Sequence, residues 1–179
     1  PTVIFISFPS KEIDKKILYA GVKLRFCEFP IFENSMLAGL KHLNRIDSVM
    51  ARSEWEEDEF FDGVMLDNSE SIIDGTMTNL FFSKNNVLYT PIIKKSGING
   101  IMRQVVIDNA KLFFKGVCEI EIKRKTISTF DEMFVTNSVI KILPVTHLSN
   151  KKFEITNATR KMINFFFKKN KRSKNLELV

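Results

Sequence analysis

Apolar and polar positions follow two kinds of repeat along the chain, one typical of β-strands and the other of helices. Apolar residues that alternate with polar ones, or form short runs between turn residues, predict strands at residues 3–8, 22–27, 64–66, 71–73, 79–82, 87–89, 117–122, 133–136 and 140–145. Apolar residues at helical spacing predict helices at residues 10–20, 43–55, 101–116 and 159–168. No internal repeat or low-complexity linker interrupts this pattern, which therefore predicts one domain.

Local features add detail to this outline. Ser10 is a candidate cap for the first helix, and residues 128–131 resemble the capping box of a helix start. The four strands between residues 64 and 89 are separated only by short turns, so we expect them to form a meander.

The composition suits one folded domain, because 44% of the 179 residues are hydrophobic and can form a sizeable core. No apolar run reaches the roughly 20 residues of a membrane helix, and the start at Pro1 has no basic leader or cleavage site. We therefore expect a cytoplasmic protein that binds no membrane. Cys27 and Cys118 stand alone in apolar surroundings and are expected to be buried thiols. The two histidines are too few and too far apart to predict a metal site.

The net charge of +6 is concentrated at the C-terminus. Residues 160–179 contain seven basic residues and one acidic residue, and this difference of six equals the whole excess. The rest of the chain is balanced, so the sequence predicts no basic face for nucleic acid. A solvated C-terminal segment accounts for the charge, and binding of that segment to an anionic surface is the alternative.

Lys41 is the candidate nucleophile. It lies in the sequence Ala-Gly-Leu-Lys-His-Leu-Asn-Arg at residues 38–45, between Gly39 and an apolar helix start. An ordinary lysine is a protonated surface group, but desolvation in this setting would favour the neutral amine and permit attack on an aldehyde. The sequence therefore predicts Lys41 as a Schiff-base lysine.

Asp74 is a candidate partner for a cofactor ring. It follows the apolar residues Ile72 and Ile73 and precedes Gly75. One interpretation is a turn aspartate that accepts hydrogen bonds from nearby amides. The other is a carboxylate that faces a pyridine nitrogen and keeps it protonated, so that the ring can withdraw electrons.

Two further segments are candidates for binding a phosphate. Residues 97–102 open a helix, and the free amides of Ile101 and Met102 could hold an anion there. Neither a Walker nor a dinucleotide-binding glycine pattern occurs at this site, which argues against ATP or NAD. Asn137 and Ser138 follow a strand and could contribute to the same phosphate site or simply form a turn.

Four segments, at residues 37–45, 73–81, 97–103 and 134–138, together resemble those of the fold-type IV pyridoxal-phosphate enzymes, and within them the aminodeoxychorismate lyases. The lysine segment is the most specific, since branched-chain aminotransferases have a Gly-Gly-Asn-Tyr-like sequence after their lysine. The resemblance implies an α+β fold with a barrel-like, mainly antiparallel sheet flanked by helices, like the large domain of D-amino-acid aminotransferase. It also implies pyridoxal 5'-phosphate as cofactor, a small-molecule substrate and a homodimer.

The resemblance also implies a role for each motif position. Lys41 would carry the cofactor covalently and transfer a proton, Asp74 would pair with the pyridine nitrogen, and Ile98 would pack against the ring. Arg45 would lie near the phenolic oxygen or the substrate. The phosphate would be bound by Gly100, Ile101, Met102, Asn137 and Ser138.

Two departures from the family accompany this resemblance. The family has glutamate at the position of Asp74, so the carboxylate here is one methylene short. The family's small N-terminal domain, which supplies a phosphate-binding arginine, has no counterpart before Pro1. We therefore expect residues 1–179 to be the cofactor-binding domain and residues 1–9 to be its connecting strand.

The implied activity is conversion of 4-amino-4-deoxychorismate to 4-aminobenzoate and pyruvate in folate biosynthesis. Aminotransferase activity on D-amino acids or branched-chain amino acids is an alternative, because it uses the same cofactor chemistry. A catalytically silent fragment of such an enzyme is the remaining alternative.

Overall fold

A computed structural model describes residues 2–9, 14–56 and 59–173 of the chain. The helices in these ranges are α1 (Lys15–Ala20), α2 (Ile46–Arg52), α3 (Ile101–Asn109) and α4 (Asn157–Ser173). The strands there are β1 (Val22–Phe26), β2 (Asp62–Leu66), β3 (Ser71–Gly75), β4 (Asn79–Lys84), β5 (Val87–Pro91), β6 (Val117–Ile120), β7 (Ile122–Lys123), β8 (Glu132–Asn137), β9 (Lys141–Leu148) and β10 (Lys151–Lys152). Short 3-10 helices occupy Ala110–Leu112 and Arg124–Thr129.

The strands of the described ranges form one sheet in the order β6-β5-β4-β8-β9-β1-β2-β3-β7, with β10 beside β9. β6 and β7 lie at opposite ends of this order, but only Glu121 separates them in the sequence. The sheet must therefore curl until its two edges approach each other. Three strand pairs are parallel and six are antiparallel in the described sheet. The predicted α+β fold with a barrel-like, mainly antiparallel sheet is confirmed.

Apolar side chains fill both faces of the sheet. Successive side chains of a strand point to opposite faces, so Leu80 and Phe82 of β4 join a cluster built mainly from strands. Phe81 points the other way and joins a second cluster with residues of α3 and α4. Its ring stacks on Phe134 of β8, with 5.0 Å between the centroids. This double burial holds the ends of the strands and α3, which carry the candidate site, in one rigid unit.

Three strand predictions fail, because pairing depends on partners that are distant in sequence. The strands between residues 64 and 89 form two separate hairpins, β2–β3 and β4–β5, instead of a meander. The strand predicted at residues 117–122 is divided into β6 and β7 on different edges. Residues 2–9 form no strand, and their large apolar side chains are exposed, since no described strand pairs with them.

Helix starts also differ from the sequence predictions. The carboxylate of Asp14 caps α1 by accepting a hydrogen bond from the N–H of Lys16 at 2.8 Å. The predicted cap at Ser10 lies outside the described residues. Residues 128–131 do not start a helix, because they end a 3-10 turn and lead directly into β8. No helix within the described part of the chain is both long and apolar enough to cross a membrane.

Burial confirms some predictions for single residues and corrects others. Cys27 is buried as expected, and Met162, Ile163 and Phe166 form the buried side of α4. Cys118 is exposed, contrary to the prediction, because its strand β6 lies at one end of the described strand order and has little cover.

The side of helix α2 that faces the protein consists of Asp47, Ser48 and Ala51. Asp47 and Ser48 face the protein, where a carboxylate oxygen of Asp47 accepts a hydrogen bond from the N–H of Phe32 at 3.3 Å. The hydroxyl of Ser48 accepts a hydrogen bond from the guanidinium of Arg45 at 2.6 Å. These polar contacts and the packing of Ala51 set the orientation of α2, and they leave its opposite, apolar side exposed. That side, together with the preceding loop, contains Leu43, Ile46, Val49 and Met50.

Candidate active site

Asp74 is the buried carboxylate at the centre of the candidate site. One of its oxygens accepts a hydrogen bond from the side-chain amide of Asn79 at 3.0 Å, and the other accepts one from the N–H of Ile98 at 3.0 Å. Burial raises the pKa of Asp74 to about 7, although the Ile98 N–H, the charge of Arg45 and the Asn79 amide each lower it. A cation placed beside this carboxyl group would favour its ionised form.

A backbone crossing brings the Lys41 segment to Asp74. The N–H of Gly39 donates to the carbonyl of Gly97 at 2.9 Å, and the carbonyl of Gly39 accepts from the N–H of Asn99 at 3.0 Å. Gly39 and Gly97 have φ values of 85° and 91°, which residues with a Cβ rarely adopt. The residue between Gly97 and Asn99 is the one bound to Asp74. Lys41 follows Gly39 by two residues, so no more than about 7 Å of chain separates them.

Lys41 is exposed, and the described residues do not provide the desolvation that its sequence setting predicted. Leu40 and Leu43, its apolar neighbours in the sequence, are exposed as well. The reason is that α2 begins only at Ile46, so residues 40–45 do not fold into a helix that could pack over the lysine. The amine of Lys41 is therefore accessible to an aldehyde.

The start of α3 is the candidate anion site. The helix begins after Gly100, and Ile101 in its first turn is 78% exposed. The amides of Ile101 and Met102 belong to the first turn, where a helix has no internal acceptors for them. A Cβ on Gly100 would overlap Oδ1 of Asn79, so glycine lets the helix start approach this side chain closely. The amides thus lie next to the Asp74 cluster and can attract a phosphate.

Asn79 is a site residue that the sequence interpretation did not single out. Its amide donates to Asp74 and also to the carbonyl of Ile98 at 2.7 Å. One side chain thus connects the carboxylate to the loop that precedes α3. The available signal was a polar residue at the start of an otherwise apolar strand.

Arg103 anchors the same helix and was likewise not identified as a site residue. Its guanidinium is buried and donates to Oε2 of Glu119 at 2.7 Å, to the carbonyl of Pro91 at 3.0 Å and to Oδ1 of Asn99 at 3.2 Å. These contacts tie α3 to β5 and β6. They also hold Asn99, which belongs to the backbone crossing.

Asn137 forms a turn, which is one of the two interpretations that the sequence allowed for it. Its Oδ1 accepts from the N–H groups of Val139 and Ile140, both at 2.9 Å. Its amide donates to the carbonyl of Met77 at 3.2 Å, which connects this loop to the turn between β3 and β4. Ser138 is exposed beside it. A contact of Asn137 and Ser138 with a phosphate stays a prediction.

A cavity of about 240 Å³ adjoins the Lys41 segment on the side of Arg45. Among the described residues, the buried atoms Nδ1 of His42 and Oγ of Ser96 have no hydrogen-bond partner there. Such atoms require a polar neighbour, so this cavity suits water or a polar ligand. The residues around it include Ala38, His42, Arg45, Asp47, Ser96 and Gly97.

The chemistry of these residues fits a phosphorylated pyridine aldehyde. Asp74 has two neutral donors and, within the described ranges, no ion-pair partner, so a protonated ring nitrogen would supply the missing cation. The first-turn amides of α3 suit a phosphate, and the exposed amine of Lys41 suits an aldehyde. These three groups belong to segments that the hydrogen bonds of Gly39, Asn79 and Ile98 hold together.

Comparison with known proteins agrees with pyridoxal phosphate as the cofactor. Residues 2–148 match the family described as amino-transferase class IV, so the chain belongs to that family. Its members have the fold-type IV architecture and use pyridoxal phosphate, as the sequence resemblance predicted.

Two lyases and one aminotransferase illustrate the similarity. Aminodeoxychorismate lyase of Vibrio harveyi is 34% identical over 165 residues, which cover 90% of this chain and 60% of that protein. The crystal structure of 4-amino-4-deoxychorismate lyase from Pseudomonas aeruginosa matches with a TM-score of 0.86 at 29% identity, over 91% of this chain and 60% of that one. A putative branched-chain-amino-acid aminotransferase of Methanocaldococcus jannaschii is 28% identical over 151 residues, 84% of this chain and 52% of that protein. The chain therefore spans about half to 60% of the length of these relatives.

Proposed function

We propose that this chain is the cofactor-binding domain of a pyridoxal-phosphate-dependent lyase that converts 4-amino-4-deoxychorismate to 4-aminobenzoate and pyruvate, a step of folate biosynthesis. The observation that carries the proposal is the crossing of Gly39 and Gly97, which joins the Lys41 segment to the amide bound by Asp74. Identity of 34% to the lyase of Vibrio harveyi supports this reaction over others of the family.

Each residue has a defined task in this proposal. Bound pyridoxal phosphate supplies an aldehyde that captures amines and a ring that accepts electron density. Lys41 would hold the aldehyde through its amine, and after the substrate's own amine has replaced it there, the released amine of Lys41 would take and return a proton at the substrate. Asp74 keeps the ring nitrogen charged, and Ile98 packs against the ring. Arg45 orients the phenolic oxygen or the substrate, beside the polar cavity.

The start of α3 and the loop after β8 would hold the phosphate. The amides of Ile101 and Met102 donate to it, and Gly100 keeps the approach open. Asn137 and Ser138 complete the phosphate site from the second loop. Loss of pyruvate leaves an aromatic ring in the product, and this aromatisation drives the elimination.

Covalent capture of the cofactor tests the assignment of Lys41. Incubation with pyridoxal phosphate, reduction with borohydride and peptide mapping should identify one modified lysine, and Lys41→Ala should abolish this adduct. Lys111→Ala is the matched control, because Lys111 is also exposed but lies after α3, outside the site. A trapped adduct that persists at another lysine in Lys41→Ala would contradict the proposal.

The products distinguish the lyase from the alternative function. The similarity to a putative branched-chain-amino-acid aminotransferase makes aminotransferase activity the second candidate. Release of 4-aminobenzoate and pyruvate from 4-amino-4-deoxychorismate supports the lyase, whereas steady turnover of D- or branched-chain amino acids with 2-oxoglutarate supports the aminotransferase. If a folded chain shows no cofactor absorbance with excess pyridoxal phosphate, it is a catalytically silent fragment.

We also propose that the protein forms a cytoplasmic homodimer. The exposed apolar side of α2 is a surface that a second copy can cover, and the free cysteines suit a reducing compartment. Val49→Glu should convert a dimer into monomers in sedimentation experiments, while Leu112→Glu, at an exposed apolar residue of another element, should not. Equal masses for Val49→Glu and the unaltered protein would contradict this interface.

A further inference from the structure

A second buried carboxylate lies beneath the turn that connects β3 to β4. Asp62, the first residue of β2, is fully buried. Its Oδ1 accepts hydrogen bonds from the N–H of Gly63 at 2.8 Å, the N–H of Thr76 at 3.1 Å and the Thr76 hydroxyl at 2.6 Å. Its Oδ2 accepts from the Thr78 hydroxyl at 2.6 Å and the N–H of Met77 at 3.4 Å. One side chain thus binds every residue of the turn from Thr76 to Thr78.

This turn touches three residues of the candidate site. Asp74 lies two residues before Thr76, and Asn79 directly follows Thr78. The carbonyl of Met77, at the tip of the turn, accepts the hydrogen bond of Asn137. The turn therefore connects the carboxylate at the ring nitrogen with the second loop assigned to the phosphate.

The turn is packed directly onto the carboxylate. A Cβ on Gly75 would overlap both Oδ2 of Asp62 and the hydroxyl of Thr78. Three of the five donors are backbone N–H groups, which cannot reverse their role, so they require an acceptor at Asp62. Any change that replaces an acceptor by a donor must move the turn.

We propose that Asp62 is a positioning residue of the cofactor site, whose carboxylate holds the turn between β3 and β4 so that Asp74, Asn79 and Asn137 meet the cofactor together. The inference rests on the proposed binding of pyridoxal phosphate at Asp74. It assigns Asp62 no contact with the cofactor. Asp62 acts through the turn, and its effect should appear in how tightly and in which orientation the cofactor is held.

Asp62→Asn is the informative variant. With its oxygen retained toward Gly63 and Thr76, the asparagine places its NH₂ group toward Thr78 and Met77. The Thr78 hydroxyl can rotate to accept, but the N–H of Met77 loses its acceptor, so the tip of the turn must shift. Residues that support the ligands of a bound metal commonly change its affinity by about 10–100-fold, and by analogy we expect pyridoxal-phosphate binding to weaken by at least about tenfold. Thr78→Val, which removes one donor and keeps the charge, should weaken binding to a smaller degree.

Glu132→Gln is the matched control. Glu132 is also a buried carboxylate held by hydroxyl and backbone donors, from Ser83 and Thr156. It lies at the other end of β8 from Asn137. Glu132→Gln should therefore lower stability as Asp62→Asn does. It should leave the affinity for pyridoxal phosphate within about twofold of that of the unaltered protein, since distant sites act independently.

The experiment measures the dissociation constant of pyridoxal phosphate and the visible circular dichroism of the bound cofactor, which reports its orientation. Weaker binding with an altered dichroism band in Asp62→Asn, and neither change in Glu132→Gln, supports the inference. Asp62 has only a structural role if the unaltered chain binds pyridoxal phosphate and Asp62→Asn has the same affinity and the same dichroism band. The same conclusion follows if Asp62→Asn and Glu132→Gln change affinity and dichroism to the same degree. If Asp62→Asn does not fold, unchanged affinity and band in Thr78→Val overturn the inference. If the unaltered chain binds no cofactor, the proposed function fails first.

Discussion

Replacement of Asp74 by asparagine tests the electrostatics of the site without any cofactor. Burial raises the pKa of Asp74 from its ordinary value of 3.8 to about 7. At about 1.4 kcal/mol per pKa unit, this difference corresponds to about 4 kcal/mol. The folded protein binds this proton more tightly than the unfolded chain does. Stability therefore falls as the pH rises from about 4 to about 7, and above about pH 7 the loss is complete.

The free energy of unfolding should be measured by urea titration at several pH values for the unaltered protein and for Asp74→Asn. Asparagine turns its NH₂ group toward one of the two donors, Asn79 or Ile98, which destabilises by about 1–3 kcal/mol at every pH. The informative quantity is therefore how the difference in free energy of unfolding between the two proteins changes with pH. Between about pH 4 and pH 7 this difference should move by about 4 kcal/mol in favour of the variant.

Two results would refute this reasoning. If the difference between the two proteins is independent of pH, the carboxyl group of Asp74 is not desolvated by the fold. If the difference moves in favour of the unaltered protein as the pH rises, then the pKa of Asp74 is lowered rather than raised, and a cation already accompanies the carboxylate.

Further predictions concern the same cluster. Saturating pyridoxal phosphate should remove most of the pH dependence assigned to Asp74, because a protonated ring nitrogen favours the ionised carboxylate, and an unchanged dependence in urea titrations would contradict this. Gly100→Ala should lower stability by about 1–3 kcal/mol and weaken cofactor binding, because its Cβ overlaps Asn79. Gly116→Ala, where a Cβ meets nothing within 4 Å, should change stability by less than about 1 kcal/mol, and equal losses in the two glycine variants would be inconsistent with the overlap. Arg103→Met should lower the free energy of unfolding by about 2–4 kcal/mol, since it removes three hydrogen bonds of a buried guanidinium, and a loss below about 1 kcal/mol would contradict this.

The elements of the fold could be predicted mostly where neighbours in sequence determine them. Alternation identified β1, short runs between turn residues identified β8 and β9, and helical spacing identified α3 and α4. Strand pairing could not be predicted in this way. β6 and β7 follow each other in the sequence but pair with β5 and β3 at different edges, and this depends on the closure of the sheet. Residues 2–9 have the composition of a strand but no described partner, and alternation alone cannot form a strand.

The sequence by itself determined the order of the motifs, and this order predicts that Lys41, Asp74 and the start of α3 are parts of one site. Their chemistry depends on residue type and local spacing, which a sequence contains. Only the tertiary structure decided that Lys41 is exposed, that Asn79 bridges Asp74 to the loop before α3, and that Asp62 lies under the adjoining turn. Asn79 and Ile98 are 19 residues apart, and Asp62 and Thr78 are 16 apart. Such contacts depend on how the sheet curls and on which backbone N–H and carbonyl groups still need a hydrogen-bond partner. Local sequence patterns therefore do not encode them.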